Sequence, residues 1–207
     1  MKTIPQILKL TDRQREIIVG TILGDGHLET QTEGRTYRLR IMHAASQQKY
    51  IEWLYRELST VAASSLHEKK IVVNGKEYRA YWFDTLNSSS LRFYAHQFYP
   101  QGKKRIPKTI ARLLTPLALA VWYMDNGSIK SHETRGRILN TQGFQKEDVE
   151  CLIEALQKKF NIHSRLRKQK EGFQIFIPSE EYDALVKILE PHFIPSMKYK
   201  LLFNTHA

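Results

Sequence analysis

IVGTILGDG, at residues 18–26, has a second copy about a hundred residues later, where the chain reads LAVWYMDNG at residues 119–127. Each copy is an apolar run that ends in a polar residue followed by glycine. Thr11 and Gln14 form a capping-box pattern before the first copy, and Thr115-Pro116 places an N-cap and a first-turn proline before the second. The pattern predicts two helices, apolar over most of their surface, each ending at a glycine.

Helices that bury most of their surface are expected to pack together. Gly20 and Gly24 lie one helical turn apart and would let another backbone come close. Parallel packing of the two motif helices would then bring Asp25 and Asn126 side by side at one end. The repeat therefore predicts a paired site that is built from the two halves of the chain.

The composition points to a folded, basic protein. The chain has 207 residues, of which 42% are hydrophobic, and a formal net charge of +11. Such a charge favours a polyanion as partner, either nucleic acid or an anionic membrane surface. No apolar run reaches the roughly 20 residues of a membrane span. Cys151 is the single cysteine, and the N-terminus carries no secretory pattern, so we expect an intracellular protein, in a bacterial cytoplasm or an organelle.

A repeated order of elements follows each motif. In the first half we predict a helix at 16–26, strands at 27–32 and 37–43, a helix from Ser46, strands at 70–74 and 77–85 around an Asn74-Gly75 turn, and a helix at 90–99. In the second half we predict strands at 128–130 and 135–141, a helix at 146–160, strands at 164–169 and 173–177, and a helix capped by Ser179 and ending near 189. Two halves result, 1–101 and 114–207, joined by a basic connector at 102–113.

The predicted strands carry many basic and polar residues. Leu39 and Ile41 alternate with Arg38 and Arg40, as expected for one buried and one outward face. A sheet with such a face could line the major groove of DNA, although solvated surface charge would give the same pattern. The candidate DNA-binding residues are Arg38, Arg40, Lys70, Arg79, Lys103, Arg137, Asn140, Arg165, Arg167, Lys168, Lys170, Gln174 and Lys198.

The two motifs, each followed by two strands and a helix in a basic chain, resemble those of the LAGLIDADG homing endonucleases in their single-chain, two-motif form. The resemblance spans nearly the whole chain, and the second half is particularly similar to mitochondrial intron-encoded members. It implies an α+β fold of pseudo-twofold duplicated αββαββα halves. Their two antiparallel sheets would form a saddle on duplex DNA, and the motif helices would hold Mg²⁺ between the scissile phosphates.

Hydrolysis of a phosphodiester requires an activated water and neutralisation of developing negative charge, which carboxylate-bound divalent ions provide. We expect Mg²⁺ or Mn²⁺, with Ca²⁺ as a non-catalytic substitute. Asp25 is the predicted ligand in the first motif, beside Gly24. In the second motif Asn126 takes the place of the acid. The neighbouring Asp125 is offset by about 100° of helical rotation and should point elsewhere.

Asn126 leaves three interpretations open: a natural enzyme with a degraded second centre, a strand-biased nicking enzyme, or a deliberate substitution that blocks cleavage. By resemblance, Lys104 and Lys200 would lie near the two centres, although plain phosphate contact is nearly as good an explanation. Asn140 would lie on a central strand near the second centre, with its counterpart near Ala44. His27 and His43 are interpreted as surface residues, and Trp53, Trp82 and Trp122 as core residues.

Three classes of protein compete for this sequence. The first is a homing endonuclease, a monomer that cuts a long asymmetric duplex site. The second is a non-catalytic nucleic-acid binder of the same fold, such as a maturase that binds intron RNA, for which Asn126 is no handicap. The third is an unrelated α/β enzyme, but no Gly-rich nucleotide-binding motif is present.

Overall fold

The structure is a computed structural model that describes residues 7–73, 75–131 and 133–202. The chain divides into two compact units, Met1–His96 and Gln97–Ala207. The N-terminal residues 1–6, which carry no secretory pattern, and Asn74 of the predicted turn lie outside the described residues. The division after 101 and the connector at 102–113 remain predictions. In the described residues no helix combines the length and the apolar character that crossing a membrane requires.

The first unit contains a helix, two strands, a second helix and two more strands in that order. These are α1 Asp12–Leu23, β1 His27–Glu29, β2 Arg38–Ala44, α2 Gln48–Leu58, β3 His67–Val73 and β4 Lys76–Asp84, followed by α3 Arg92–Phe98, which ends just beyond the unit. The four strands form one antiparallel sheet in the order β1-β2-β4-β3.

The second unit repeats this arrangement after a short helix. Its elements are α4 Ile110–Leu113, α5 Pro116–Asn126, β5 Gly127–Ser131, β6 Thr134–Leu139, α6 Lys146–Phe160, β7 Arg165–Gln169, β8 Gly172–Ile177 and α7 Tyr182–Leu189. The sheet order, β5-β6-β8-β7, matches that of the first unit strand for strand. The predicted α+β class and the duplicated αββαββα order are therefore confirmed.

The helix caps explain where the two motif helices begin and end. The side chain of Thr11 accepts a hydrogen bond from the Gln14 backbone in a complete capping box, and the side chain of Thr115 accepts one from the Ala118 backbone at the start of α5. The first motif helix ends at Leu23, earlier than predicted, so Asp25 lies beyond the helix whereas Asn126 is the last residue of α5. Ser179 is not a cap; it begins a 3-10 turn that precedes α7.

Each sheet has one face covered by helices and one outer face. In β2, Leu39 and Ile41 are fully buried while Arg38 and Arg40 are only half-buried, as the alternation predicted. The ring of Tyr55 on α2 packs edge-on against Phe83 of β4, which places α2 on the face of Leu39 and Ile41. In the second sheet, Leu139, Ile175 and Ile177 are fully buried against the helices.

Candidate nucleic-acid interface

Arg38 and Arg40 lie on the outer face of the first sheet in a network with two carboxylates. Arg40 donates two hydrogen bonds of 2.8 Å to Asp84, and Arg38 donates one of 2.8 Å to Glu29. Burial alone would raise the pKa of Glu29, but hydrogen bonds from Arg38 and His27 and the charge of Arg40 hold it below its ordinary value. The two arginines are therefore held in place on the predicted DNA-binding face before any ligand binds.

Lys70 and Arg79 do not share that face. They lie opposite each other in the β3–β4 register, and alternation along β4 puts Arg79 on the side of Phe83, which faces the helices. Lys70 forms an ion pair with Glu77 at 3.0 Å, and Arg79 forms one with Glu68 at 3.5 Å. The prediction that they belong to the same surface as Arg38 was wrong, because register decides the face of a strand residue and was unknown from the sequence.

Trp82 also differs from the prediction, since it lies on the outer face and not in the core. Its ring stacks on that of His67 with centroids 4.7 Å apart, and the guanidinium of Arg40 lies 5.2 Å from its ring centre. Met42, an exposed residue on the same face, lines a depression of about 520 Å³ together with Trp82 and Glu29. Trp53 is half-buried against Tyr50, and Trp122 is fully buried as expected.

The outer face of the second sheet carries polar groups on β7 and β8 and at the residue that follows β6. Gln174 donates a 2.7 Å hydrogen bond to the side-chain oxygen of Asn140 and lies opposite Arg167 in the β7–β8 register. Arg165 lies on the same face of β7 and is exposed. This face therefore presents amide and guanidinium groups, which are the side chains that pair with base edges.

The strand register also gives the first-half counterpart of Asn140. Gly127 pairs with Leu139, and Asn140 follows that pair. Extending the His27–Arg40 pairing by one residue sets Gly26 opposite Ile41, so the counterpart is Met42, two residues before Ala44.

Arg137 is a correction, because it is buried and does not face outward. Its side chain is 1% exposed and donates hydrogen bonds to the carbonyl oxygens of Leu201 at 2.8 Å and Arg135 at 3.0 Å. The guanidinium also lies 4.5 Å from the centre of the Tyr182 ring on α7. It lies on the helix-covered face with Leu139, so it fastens the C-terminal segment to the sheet.

The remaining basic candidates lie in several environments. Lys168 is exposed but lies on the face of Leu166, opposite to that of Arg167, which corrects its predicted place; Lys170 lies in the β7–β8 turn. Lys103 is exposed, and the ammonium of Lys104 lies 5.5 Å from the centre of the Phe144 ring. Lys198 forms an ion pair with Glu190 at 3.6 Å.

The end of the first motif helix carries a carboxylate beside an imidazole. Gly24 caps α1 through its backbone N–H, and Asp25 follows with its side chain 45% exposed. Nδ1 of His43, a buried residue of β2, lies 3.8 Å from the Asp25 carboxylate and 3.1 Å from Oε1 of Gln47. A carboxylate oxygen next to an imidazole nitrogen is a donor set of the kind that binds divalent ions.

The end of the second motif helix is held by a buried lysine. The ammonium of Lys200 donates hydrogen bonds to the carbonyl oxygens of Met124 and Asp125, the latter at 2.9 Å. Both the backbone N–H and the side-chain amide of Asn140 donate to the carbonyl oxygen of Asn126, at 3.0 and 2.8 Å. Asp125 is 7% exposed, so this helix end concentrates polar side chains in a largely buried place.

The sequence pattern of the LAGLIDADG DNA endonuclease family matches residues 15–185. The chain belongs to this family. DNA endonuclease I-ChuI of Chlamydomonas applanata is 30% identical, over 94% of this chain and 96% of its own length. The cytochrome b mRNA maturase bI2 of Debaryomyces hansenii is also 30% identical, over 90% of this chain and 72% of the maturase. The DNA-bound structure of the homing endonuclease I-WcaI is 28% identical and superposes with a TM-score of 0.90, covering 96% of this chain and 89% of that one.

The histidine beside the first LAGLIDADG motif is the residue that sequence reasoning missed. His43 was interpreted as a surface residue, but it is only 3% exposed, and its ring packs edge-to-face against the ring of Tyr50. The signal was present in β2, where His43 continues the alternation of Leu39 and Ile41 on the buried face. A polar residue on an apolar stripe is the pattern that could have identified it.

Proposed function

We propose that this chain is a site-specific homing endonuclease that binds a long asymmetric duplex site and hydrolyses phosphodiester bonds with divalent metal. The observation that carries the proposal is the duplicated unit, in which a LAGLIDADG motif helix leads into a sheet with a polar outer face. Two non-identical outer faces predict a target site without strict palindromy. We expect an intracellular monomer whose DNA affinity falls steeply with salt, because phosphate contacts release counterions.

The residues at the two motif ends fit a divalent ion. Asp25 offers a half-exposed carboxylate, which suits Mg²⁺ or Mn²⁺, and Ca²⁺ would bind the same oxygens without supporting cleavage. At the second end the available groups are the amide oxygen of Asn126 and the carboxylate of Asp125. A bound ion would activate a water and neutralise charge on the phosphate.

The chain's own residues would orient and recognise the DNA. Lys200 holds the last turn of α5 through two carbonyls, so it would position the second metal end. Lys104, a half-buried residue beside the Phe144 ring, would contact a phosphate near the metal. On the outer faces, Arg38, Arg40, Arg165 and Arg167 would read base edges in the major groove, where one bidentate pair contributes about 1–3 kcal/mol of discrimination.

Cleavage of a selected duplex tests the proposal. A duplex would be selected for binding from a random-sequence library in Ca²⁺, and cleavage of each strand would be followed in Mg²⁺. We expect the chain to bind this duplex but to cut slowly or to nick one strand preferentially, because Asn126 removes one negative charge from the second metal end. Asn126→Asp should raise double-strand cleavage with little change in affinity, and Asp25→Asn should abolish cleavage.

Asp125→Asn separates the two candidate groups at the second end, since it removes the carboxylate and leaves the amide oxygen of Asn126. If Asn126 occupies the metal position, Asp125→Asn should lower cleavage less than Asp25→Asn does. Rapid, equal cleavage of both strands by the unaltered chain, with no gain from Asn126→Asp, would show that the second motif is wrongly aligned. Failure to select any duplex would sink the proposed function itself.

We propose RNA binding, as in a maturase, as a second candidate function. The specific observation in its favour is the similarity, over nine-tenths of this chain, to a protein named as an mRNA maturase. Asn126 does not weaken this candidate, because RNA binding needs no paired metal site. A folded RNA that binds with affinity in the range of the selected DNA, and whose splicing the chain accelerates, would support it.

A further inference from the structure

A basic cleft lies in the second unit between the short helix α4 and the last turn of α6. It has a volume of about 470 Å³ and is lined by Lys108, Thr109, Ala111, Arg112, Lys158 and Lys159. All four basic side chains are exposed. Among the described residues none of the four forms an ion pair, whereas Arg105 next to the cleft is paired with Asp148 at 2.7 Å.

Helix ends explain only part of this charge. Lys158 and Lys159 lie in the last turn of α6, and Arg112 in the last turn of α4, where cations are stabilised by the helix dipole. Each helix end, however, carries at most about half a negative charge. Among the lining residues, four cations against two such ends leave a surplus of roughly three positive charges in one concave place, and this surplus favours an anionic partner.

The cleft is separated from the proposed DNA-binding face by the second sheet. Helix α6 buries Leu152 and Leu156 and contacts β7 and β8, whose helix-covered face carries the fully buried Ile175. Arg167 and Gln174 project from the opposite face. A duplex on the outer face would therefore not occupy the cleft, because the thickness of the sheet and of α6 lies between them.

We infer that this basic cleft binds the phosphodiester backbone of a folded RNA, as a second nucleic-acid site distinct from the sheet face. The inference rests on the second candidate function proposed above, and it states which surface of the protein would bind the RNA. Exposed lysine and arginine side chains contact phosphates, and structured RNA is recognised mainly by its shape and backbone. A concave site suits a folded RNA, which brings several phosphates close together.

Binding of a folded transfer RNA and of the selected duplex DNA, each labelled with a fluorophore, tests the inference. The cleft variant is Lys158→Gln with Lys159→Gln, which keeps helix propensity while removing two charges. The control is Lys146→Gln with Lys187→Gln, which removes two exposed charges from α6 and α7 outside the cleft. Thermal unfolding of both variants checks that they fold alike.

We expect the cleft variant to bind the RNA on the order of tenfold more weakly at 0.15 M salt, since each lost phosphate contact flattens the salt slope by ~0.7–0.9. The control variant and the affinity for the selected duplex should be unchanged. The RNA should also bind when the duplex is present at saturation.

Three results would show that the cleft is not the RNA-binding site, although the protein could still bind RNA elsewhere. These are equal weakening of RNA binding in both variants, displacement of the RNA by saturating duplex, and no change in RNA affinity for the cleft variant. A loss of affinity for duplex extended with flanking base pairs, without a loss for RNA, would assign the cleft to flanking DNA instead. If the unaltered chain does not bind RNA, the second candidate function fails together with the inference.

Discussion

Replacing Arg137 with glutamine should lower stability without changing which bases the protein reads. Its guanidinium donates to the carbonyl oxygens of Leu201 at 2.8 Å and of Arg135 at 3.0 Å, and its two longer hydrogen bonds go to Gly136 and Leu202. A hydrogen bond from a charged group contributes about 1.5–3 kcal/mol. Two good ones are lost, but Leu201 keeps the hydroxyl of Tyr182 as a donor, so we expect a loss of about 2–4 kcal/mol.

Urea denaturation and thermal unfolding measure this effect. For a chain of this size the loss corresponds to a decrease in Tm of roughly 5–15 °C. Arg167→Gln is the control, because Arg167 lies on the outer face; it should leave stability within about 0.5 kcal/mol and relax preference at one or two base pairs of the selected site. An Arg137→Gln variant with unchanged Tm and relaxed base preference would refute the assignment of Arg137 to a structural role.

Three further predictions concern single positions. Gly127→Ala should cost about 3 kcal/mol in urea denaturation because its Cβ would overlap the ring and carbonyl of Tyr123, whereas Gly143→Ala, in open space, should be near neutral. Glu29 has a lowered pKa, so its contribution to stability is full above its ordinary value of 4.5 and is lost as the pH falls through the lower folded-state value. The stability difference between the unaltered chain and Glu29→Gln should therefore narrow on acidification; a constant difference from pH 7 to pH 2 would contradict this. Lys200→Met should destabilise the protein by about 3 kcal/mol, since two buried carbonyls at the end of α5 lose a charged donor; an unchanged urea midpoint would show that they need none.

Local pattern was enough to predict the elements and their order. The capping box at Thr11 and the proline after Thr115 are signals within one turn of chain, and both caps form as predicted. Helix α6 spans Lys146–Phe160 as predicted, because its apolar spacing and its first-turn acids are also local. The end of α1 was misplaced, since the choice between Leu23 and a later residue depends on the turn that Gly24 and Gly26 make.

The sequence by itself determined the duplicated order of elements, the basic charge and the two motif ends at Asp25 and Asn126. These follow from periodicity, capping and composition, which act over a few residues. Only the tertiary structure decided which charged residues share a face. Strand register puts Lys70 and Arg79 on the face opposite to that of Arg38. Arg137 is buried, and its guanidinium donates to the carbonyl oxygen of Leu201, 64 residues away in the chain. Pairings of this kind are set by long-range packing, and a shift of one residue would exchange the two faces of a strand.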